Sequence, residues 1–184
     1  FITGTGTGRG KTRVAAGILR YLRARGIDAV PMKPLQTGAH RAGEVLRAPD
    51  LEYVLEQGGL SPAPDMLRLM APYVYEPACS PHLAARLAGH APKIDTIRDC
   101  VETLLERHEF LVIEGAGGLL VPLTQTLTMR DLIAALGFPV LLVAQAGLGT
   151  LNHTLLTIEA LRPTGVELAG LVLAHRHHRL HLLA

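Results

Sequence analysis

The sequence predicts an α/β fold, a doubly wound and mainly parallel sheet flanked by helices, on three observations. A glycine-rich loop, Gly4 to Thr12, follows the short apolar stretch Phe1-Ile2-Thr3 and leads straight into a helical pattern. Three continuous apolar runs, Phe110 to Ile113, Pro139 to Ala144 and Leu168 to Leu173, lack the alternation of a half-exposed strand and so read as strands buried on both faces. Helical patterns at Met129 to Leu136 and Leu151 to Leu161 alternate with those runs, the order expected of strand, crossover and parallel strand.

Each element has its own local reason. Val14, Ala15, Ile18, Leu19 and Leu22 recur at helical spacing from Thr12, and Gly26 is placed to end that helix. A strand over roughly Ala29 to Lys33 follows. Pro34 to Pro49 has no periodicity and reads as a loop, while Pro49 suits the first turn of a short helix carrying Leu51, Val54 and Leu55. Ser61 to Ser80 is broken by Pro62, Pro64, Pro72 and Pro77, after which His82 to Leu87 and Ile94 to Leu105 read as helices. No repeat, low-complexity tract or linker divides the chain, so residues 1–184 are expected to form one domain, with the first strand and the C-terminal end incomplete.

Composition narrows the partners. Net charge is +2 with histidine neutral, too small a one-signed field to point to nucleic acid or an anionic membrane, so a small-molecule substrate is expected. No apolar run reaches membrane-spanning length and no signal-peptide pattern is present, from which a cytoplasmic location is expected. Cys79 and Cys100 lack metal-type spacing and are expected as free thiols. The histidines form no zinc set, and His175, His177, His178 and His181 read as surface or tail. The only lysines are Lys11, Lys33 and Lys93.

The chemistry concentrates in loops at strand ends. In Gly4-Thr5-Gly6-Thr7-Gly8-Arg9-Gly10-Lys11-Thr12, successive backbone N–H groups and a helix N-terminus can surround phosphates, Lys11 can reach the β- and γ-phosphates, and the Thr12 hydroxyl can ligate magnesium. This is a P-loop, in a variant spacing with Thr5 where the first glycine usually stands and Gly4 one residue earlier. Lys33, in Lys33-Pro34-Leu35-Gln36-Thr37-Gly38, is either a solvated strand-end charge or a second cation beside the triphosphate, the latter if its strand adjoins the phosphate loop. Glu114 ends an apolar strand before Gly115-Ala116-Gly117-Gly118 and is the best candidate for a magnesium-binding acid. Asp50 either joins it or complements its own helix dipole. Thr150 or Asn152 either caps the helix that follows or belongs to a site.

Five blocks together, the glycine-rich loop, Lys33 to Gly38, Ser80-Pro81-His82, Glu114 to Gly118 and Gly149-Thr150-Leu151-Asn152-His153, resemble the dethiobiotin synthetases of biotin biosynthesis. The resemblance implies ATP- and Mg2+-dependent closure of 7,8-diaminononanoate with CO2 (or bicarbonate as its source) to dethiobiotin, ADP and phosphate, through a carbamate and a carbamic-phosphoric anhydride. It implies Lys33 and Lys11 as catalytic residues, and nucleotide contacts from Thr7, Gly8, Arg9, Gly10, Lys11, Thr12, Arg13, Asp50, Glu114, Gly115, Ala116 and Gly117. Magnesium would be held by Thr12, Asp50 and Glu114. Thr7, Lys33 and Thr37 would meet the diamine, and Gly149, Thr150, Leu151 and Asn152 would meet the substrate bound to the other subunit of a homodimer.

The chain departs from the family pattern at Gly6, where aspartate is usual, at Arg9, where an apolar residue is usual, and at Ala174, where asparagine is usual. Two other readings stand beside the synthetase. One is a dimeric nucleotide switch like the partitioning ATPases, which carry an additional early loop lysine that Thr5, Gly6 and Thr7 do not supply. The other is a regulatory nucleotide-binding domain of the same fold.

Overall fold

The computed structural model describes residues 1–175 and the strand Leu180–Leu183; His177 and His178 of the histidine-rich end lie outside the described residues. The central strands are β1 (Ile2–Gly4) and β2 (Ala29–Met32), then the short β3 (Leu35–Gln36), β4 (His40–Ala42), β5 (Val45–Arg47) and β6 (Tyr73–Val74). They are followed by β7 (Phe110–Ile113), β8 (Val140–Gln145), β9 (Leu168–Ala174) and β10 (Leu180–Leu183). The helices are α1 (Lys11–Arg23), α2 (Pro49–Gln57), α3 (Pro64–Met70), α4 (Pro81–Ala88), α5 (Ile94–Leu105), α6 (Met129–Leu136) and α7 (Thr150–Leu161).

β1 pairs with β8 and β8 with β9, all parallel, while β10 adds an antiparallel edge. β2 pairs parallel with β7, and the Ile2 to Glu114 bridge joins that pair to β1. The working order is therefore β2, β7, β1, β8, β9, β10. The two faces are covered as a doubly wound fold requires. Val14, Ala15 and Leu19 of α1 pack with Ile2, Val112, Val143 and Val172 on one side. Ile97, Val101 and Leu104 of α5 and Leu132 and Ile133 of α6 pack with Met32, Ile113 and Val140 on the other. Continuous apolar strands are what such double burial demands.

Four expectations change. β7 separates β2 from the phosphate-loop strand, so the two are not adjacent. β2 ends at Met32, and the Lys33 N–H leaves the ladder to donate to the Met70 carbonyl. The expected loop 34–49 contains β3 and the hairpin of β4 and β5, whose residues are mostly exposed and so carry no buried-face pattern. α1 ends at Arg23 with Ala24 as its C-cap, and Gly26 serves the turn beyond it. Pro49 opens α2 as expected, where a missing N–H costs nothing, and Pro81 opens α4 in the same way; Pro64, expected as a breaker within 61–80, also opens a helix, α3, and β6 lies in the same stretch. Cys79 and Cys100 are free thiols, and among the described residues no helix is long and apolar enough to cross a membrane.

Candidate functional site

β1 delivers the chain to the sheet edge at Gly4. A Cβ there would lie 2.9 Å from the Val143 carbonyl, so this glycine serves the close passage of β1 against β8 rather than the phosphate cradle. The loop then turns through Gly8 and Gly10, at φ 71° and 97°, and Gly10 caps the N-terminus of α1. That left-handed geometry directs the first α1 N–H groups into the loop, where they suit an anion. Lys11 curls back so that its Nζ donates to the Gly6 carbonyl at 2.9 Å.

Next to β1, β7 brings Glu114 to the same edge, and β2 beyond it brings Lys33. Lys33 Nζ lies 2.7 Å from Asp50 Oδ2 and 2.7 Å from Glu114 Oε1, and donates also to the Gly115 carbonyl at 3.4 Å. The Thr12 hydroxyl donates to the same Glu114 Oε1 at 2.9 Å. Lys33 and Glu114 are almost wholly buried, whereas the Asp50 side chain is 37% exposed. Burying an ion is tolerated only when it is paired and hydrogen-bonded, and here each is. Burial above all, and then the neighbouring Lys33 ammonium, pull the Lys11 pKa down to about 8, against the opposing pull of Glu114 and Asp50.

A cavity of about 710 Å³ opens on this network. It brings together Thr7, Gly8, Arg9, Gly10, Lys11, Thr12, Lys33, Thr37, Asp50, Glu114, Ala116 and Gly117. Gly115 contributes through its carbonyl to Lys33. Arg13 is exposed on α1 and does not line the cavity. Lys33 is thus no solvated strand-end charge. Asp50 sits in the first turn of α2, as the helix-dipole reading has it, and its carboxylate pairs with Lys33 beside Glu114.

Gly149, Thr150, Leu151 and Asn152 do not reach that cavity. Gly149 at φ 87° begins α7, and neither Thr150 nor Asn152 caps it through a side chain, so the capping reading fails. The Thr150 Oγ1 is buried without a partner, on a second cavity of about 500 Å³ whose wall includes Arg9, Gln145, His153 and His175. Leu151 is 77% exposed.

Two residues to which the sequence assigned no role matter here, Gln36 and Gln145. Gln36 is buried, donates to the Thr37 carbonyl at 2.7 Å and accepts the Asp50 N–H at 3.3 Å, so it fixes both flanking site residues. Its place in the Lys33 to Gly38 block was the available signal. Gln145, at the end of β8, accepts a hydrogen bond from Arg9. Nothing local pointed to it. Ser80 and Pro81 line the main cavity, while His82 faces another one.

Metal chemistry fits the donor set. Asp50 and Glu114 present carboxylate oxygens to one cation, Lys33 Nζ, and the Thr12 hydroxyl meets the same Glu114 oxygen; hard divalent ions take such oxygens. No cluster of three His, Cys, Asp or Glu occurs among the described residues.

Comparison with known proteins agrees with the geometry. The AAA domain family model matches residues 1–179. The chain is 49% identical over 173 residues to the ATP-dependent dethiobiotin synthetase BioD of Anaeromyxobacter dehalogenans (strain 2CP-C), covering 94% of this chain and 74% of that one. It belongs to the dethiobiotin synthetase family. A BioD from Chromohalobacter salexigens is 41% identical, with 94% and 72% covered. Among solved structures, the kinase domain of Escherichia coli tyrosine kinase ETK matches with a TM-score of 0.58 at 16% identity, covering all of this chain and 70% of that one. A ParA family ATPase from Chlorobium tepidum TLS matches with 0.51 at 10% identity, covering 95% and 72%. These two likenesses establish the P-loop NTPase fold alone.

The dethiobiotin synthetase departures have structural settings. A Cβ on Gly6 would sit 3.5 Å from Arg9 Nε, a buried donor with no partner. Ala174 packs at the loop's end, 3.3 Å from where a Gly10 Cβ would be.

Proposed function

We propose that this protein is an ATP- and magnesium-dependent dethiobiotin synthetase, closing 7,8-diaminononanoate with CO2 into the cyclic urea of dethiobiotin and releasing ADP and phosphate. The observation that carries this reading is the convergence of a phosphate cradle, the Lys33 ammonium and the Asp50 and Glu114 carboxylates on one cavity. A phosphate cradle alone supports only nucleotide binding. A second buried lysine opposite it supports transfer of a phosphoryl group to an anionic acceptor, as a carbamate is.

In this reading the loop N–H groups from Gly8 to Thr12 and the Lys11 ammonium hold the β- and γ-phosphates. One substrate amine adds to CO2 and loses a proton, leaving a carbamate beside Lys33. A carbamate oxygen attacks the γ-phosphorus, the bond to the bridging oxygen breaks, and ADP leaves with that electron pair. The second amine then attacks the carbonyl carbon, phosphate departs, and the ring closes. Lys33 balances the charge that builds on the acceptor and the moving phosphoryl group. Thr7 and Thr37 line the cavity and supply polar contacts for the diamine end. Magnesium, held by Thr12, Asp50 and Glu114, would neutralise phosphate charge and orient the triphosphate.

The remaining substrate contact is assigned to a second copy of the chain. Leu148, Leu151, Leu155 and Leu156 expose apolar surface around the start of α7, and the α7 N-terminus beside them suits a carboxylate. Both features support a homodimer in which Gly149 to Asn152 meet the substrate tail in the partner's cavity. The reading is tested by incubating the protein with diamine, ATP, Mg2+ and 13C-bicarbonate and following products by mass spectrometry. A single 13C in a cyclic urea is the expected result, and unlabelled or uncyclised diamine overturns it.

A further inference from the structure

An ammonium has three hydrogens, and in this structure all three of Lys33 are directed at protein oxygens: Asp50 Oδ2, Glu114 Oε1 and the Gly115 carbonyl. The Lys33 side chain is only 5% exposed, so water does not share in this arrangement. The phosphoryl-transfer reading asks two further things of the same groups. Lys33 has to face an acceptor, and Asp50 and Glu114 have to hold a divalent cation with Thr12. The observed bonding sets these demands against each other: Lys33 Nζ already sits on Asp50 Oδ2 and Glu114 Oε1, so a dication held by Thr12, Asp50 and Glu114 would lie against that ammonium, like charge beside like charge.

We propose that Lys33 is a resident cation that changes places with the metal. In the nucleotide-free protein its ammonium compensates the two carboxylates and competes with a bare divalent ion. When metal and nucleotide enter together, the phosphate oxygens add ligands to the ion and offer Lys33 a new anionic neighbour, so the exchange becomes favourable. The released ammonium swings toward the transferring phosphoryl group. Lys33 thereby acts as a positioning residue for the metal as well as a catalytic one, and it reaches the reacting atoms only in a site already loaded. The proposal rests on Thr12, Asp50 and Glu114 being the metal set.

The first test reads Mn2+ binding by electron paramagnetic resonance, without turnover. Deleting the resident charge in Lys33→Met leaves two uncompensated carboxylates, so nucleotide-free Mn2+ affinity is expected to rise at least about tenfold over the unmodified protein. Adding Asp50→Asn is expected to cancel that gain. If Lys33→Met binds Mn2+ no more tightly, while Mn2+ with ADP still binds the unmodified protein in an Asp50-dependent way, the exchange is refuted and the metal set survives. If Asp50→Asn and Glu114→Gln leave Mn2+ binding with ADP unchanged, the metal set itself is wrong and the proposal falls with it.

A second test needs no variant. The sequence holds only three lysines, so 15N-lysine labelling resolves the Lys33 ammonium by nuclear magnetic resonance. Its signal is expected to be protected from solvent exchange in the free protein and with ADP alone, and to broaden by exchange once Mg2+ is added with ADP. A signal that stays protected with Mg2+ and ADP overturns the proposal.

Discussion

Lys33 Nζ and Glu114 Oε1 meet at 2.7 Å, delivered by neighbouring parallel strands whose last residues, Met32 and Ile113, are register partners. The pairing follows from the sheet order. With β7 between β2 and β1, Glu114 stands between Lys33 and the phosphate loop, close enough for Thr12 to share its oxygen.

Replacing Lys33 by Gln is predicted to separate chemistry from nucleotide binding. In the proposed site the phosphates would be cradled by the loop and Lys11, whereas Lys33 would face the acceptor. Turnover is expected to fall by about 10²- to 10³-fold, the loss typical of removing one charge-stabilising donor, with the ATP dissociation constant little changed. Steady-state kinetics and equilibrium titration check this, and an equal loss in both would make Lys33 a nucleotide anchor only.

Glu114→Gln is predicted to act on metal-linked binding. The variant keeps the shape of the strand end but removes the carboxylate that receives both Lys33 and Thr12. Isothermal titration should show ADP affinity nearly unaltered without Mg2+, and the strengthening produced by Mg2+ largely abolished.

The Lys11 environment predicts a pH signature. In the unfolded chain its pKa is the ordinary 10.5, and in the folded protein it is about 8. Between those values the unfolded state binds the extra proton, so this group makes the free protein more stable as pH rises from 8 to 10.5. Binding triphosphate restores the charge. ATP binding at a pH slightly above 8 should therefore take up protons, measurable as a dependence of the binding heat on buffer ionisation enthalpy, with no uptake near pH 6.

Gly6→Asp is predicted to stabilise. Gly6 is not in the left-handed region, and its added side chain points at the unpartnered Arg9 Nε. A carboxylate there should gain about 1 kcal/mol and raise the Tm by about 2–4 °C. In an Arg9→Val background the same substitution should give no gain in thermal denaturation.

What the sequence made legible follows the physics of burial. Central strands such as Val140 to Gln145, mostly buried, announce themselves by unbroken apolar runs, and Ile94 to Leu105 and Met129 to Leu136 by helical periodicity. The exposed hairpin of β4 and β5 carries no such pattern and is indistinguishable from loop in the sequence. Strand order is a tertiary choice, so the insertion of β7 between β2 and β1 left no local trace. The same holds for Arg9 and Gln145, which meet across 136 positions of sequence. Gly4 shows a residue noticed for the right motif and explained by another cause, its close approach to Val143.

The most direct measurement is phosphate release by the purified protein with ATP, Mg2+ and bicarbonate, with and without 7,8-diaminononanoate. The account predicts phosphate only when the diamine is present, in equal amount to the dethiobiotin formed. Phosphate release that ignores the diamine, or none at all under conditions where ATP binds, would contradict it.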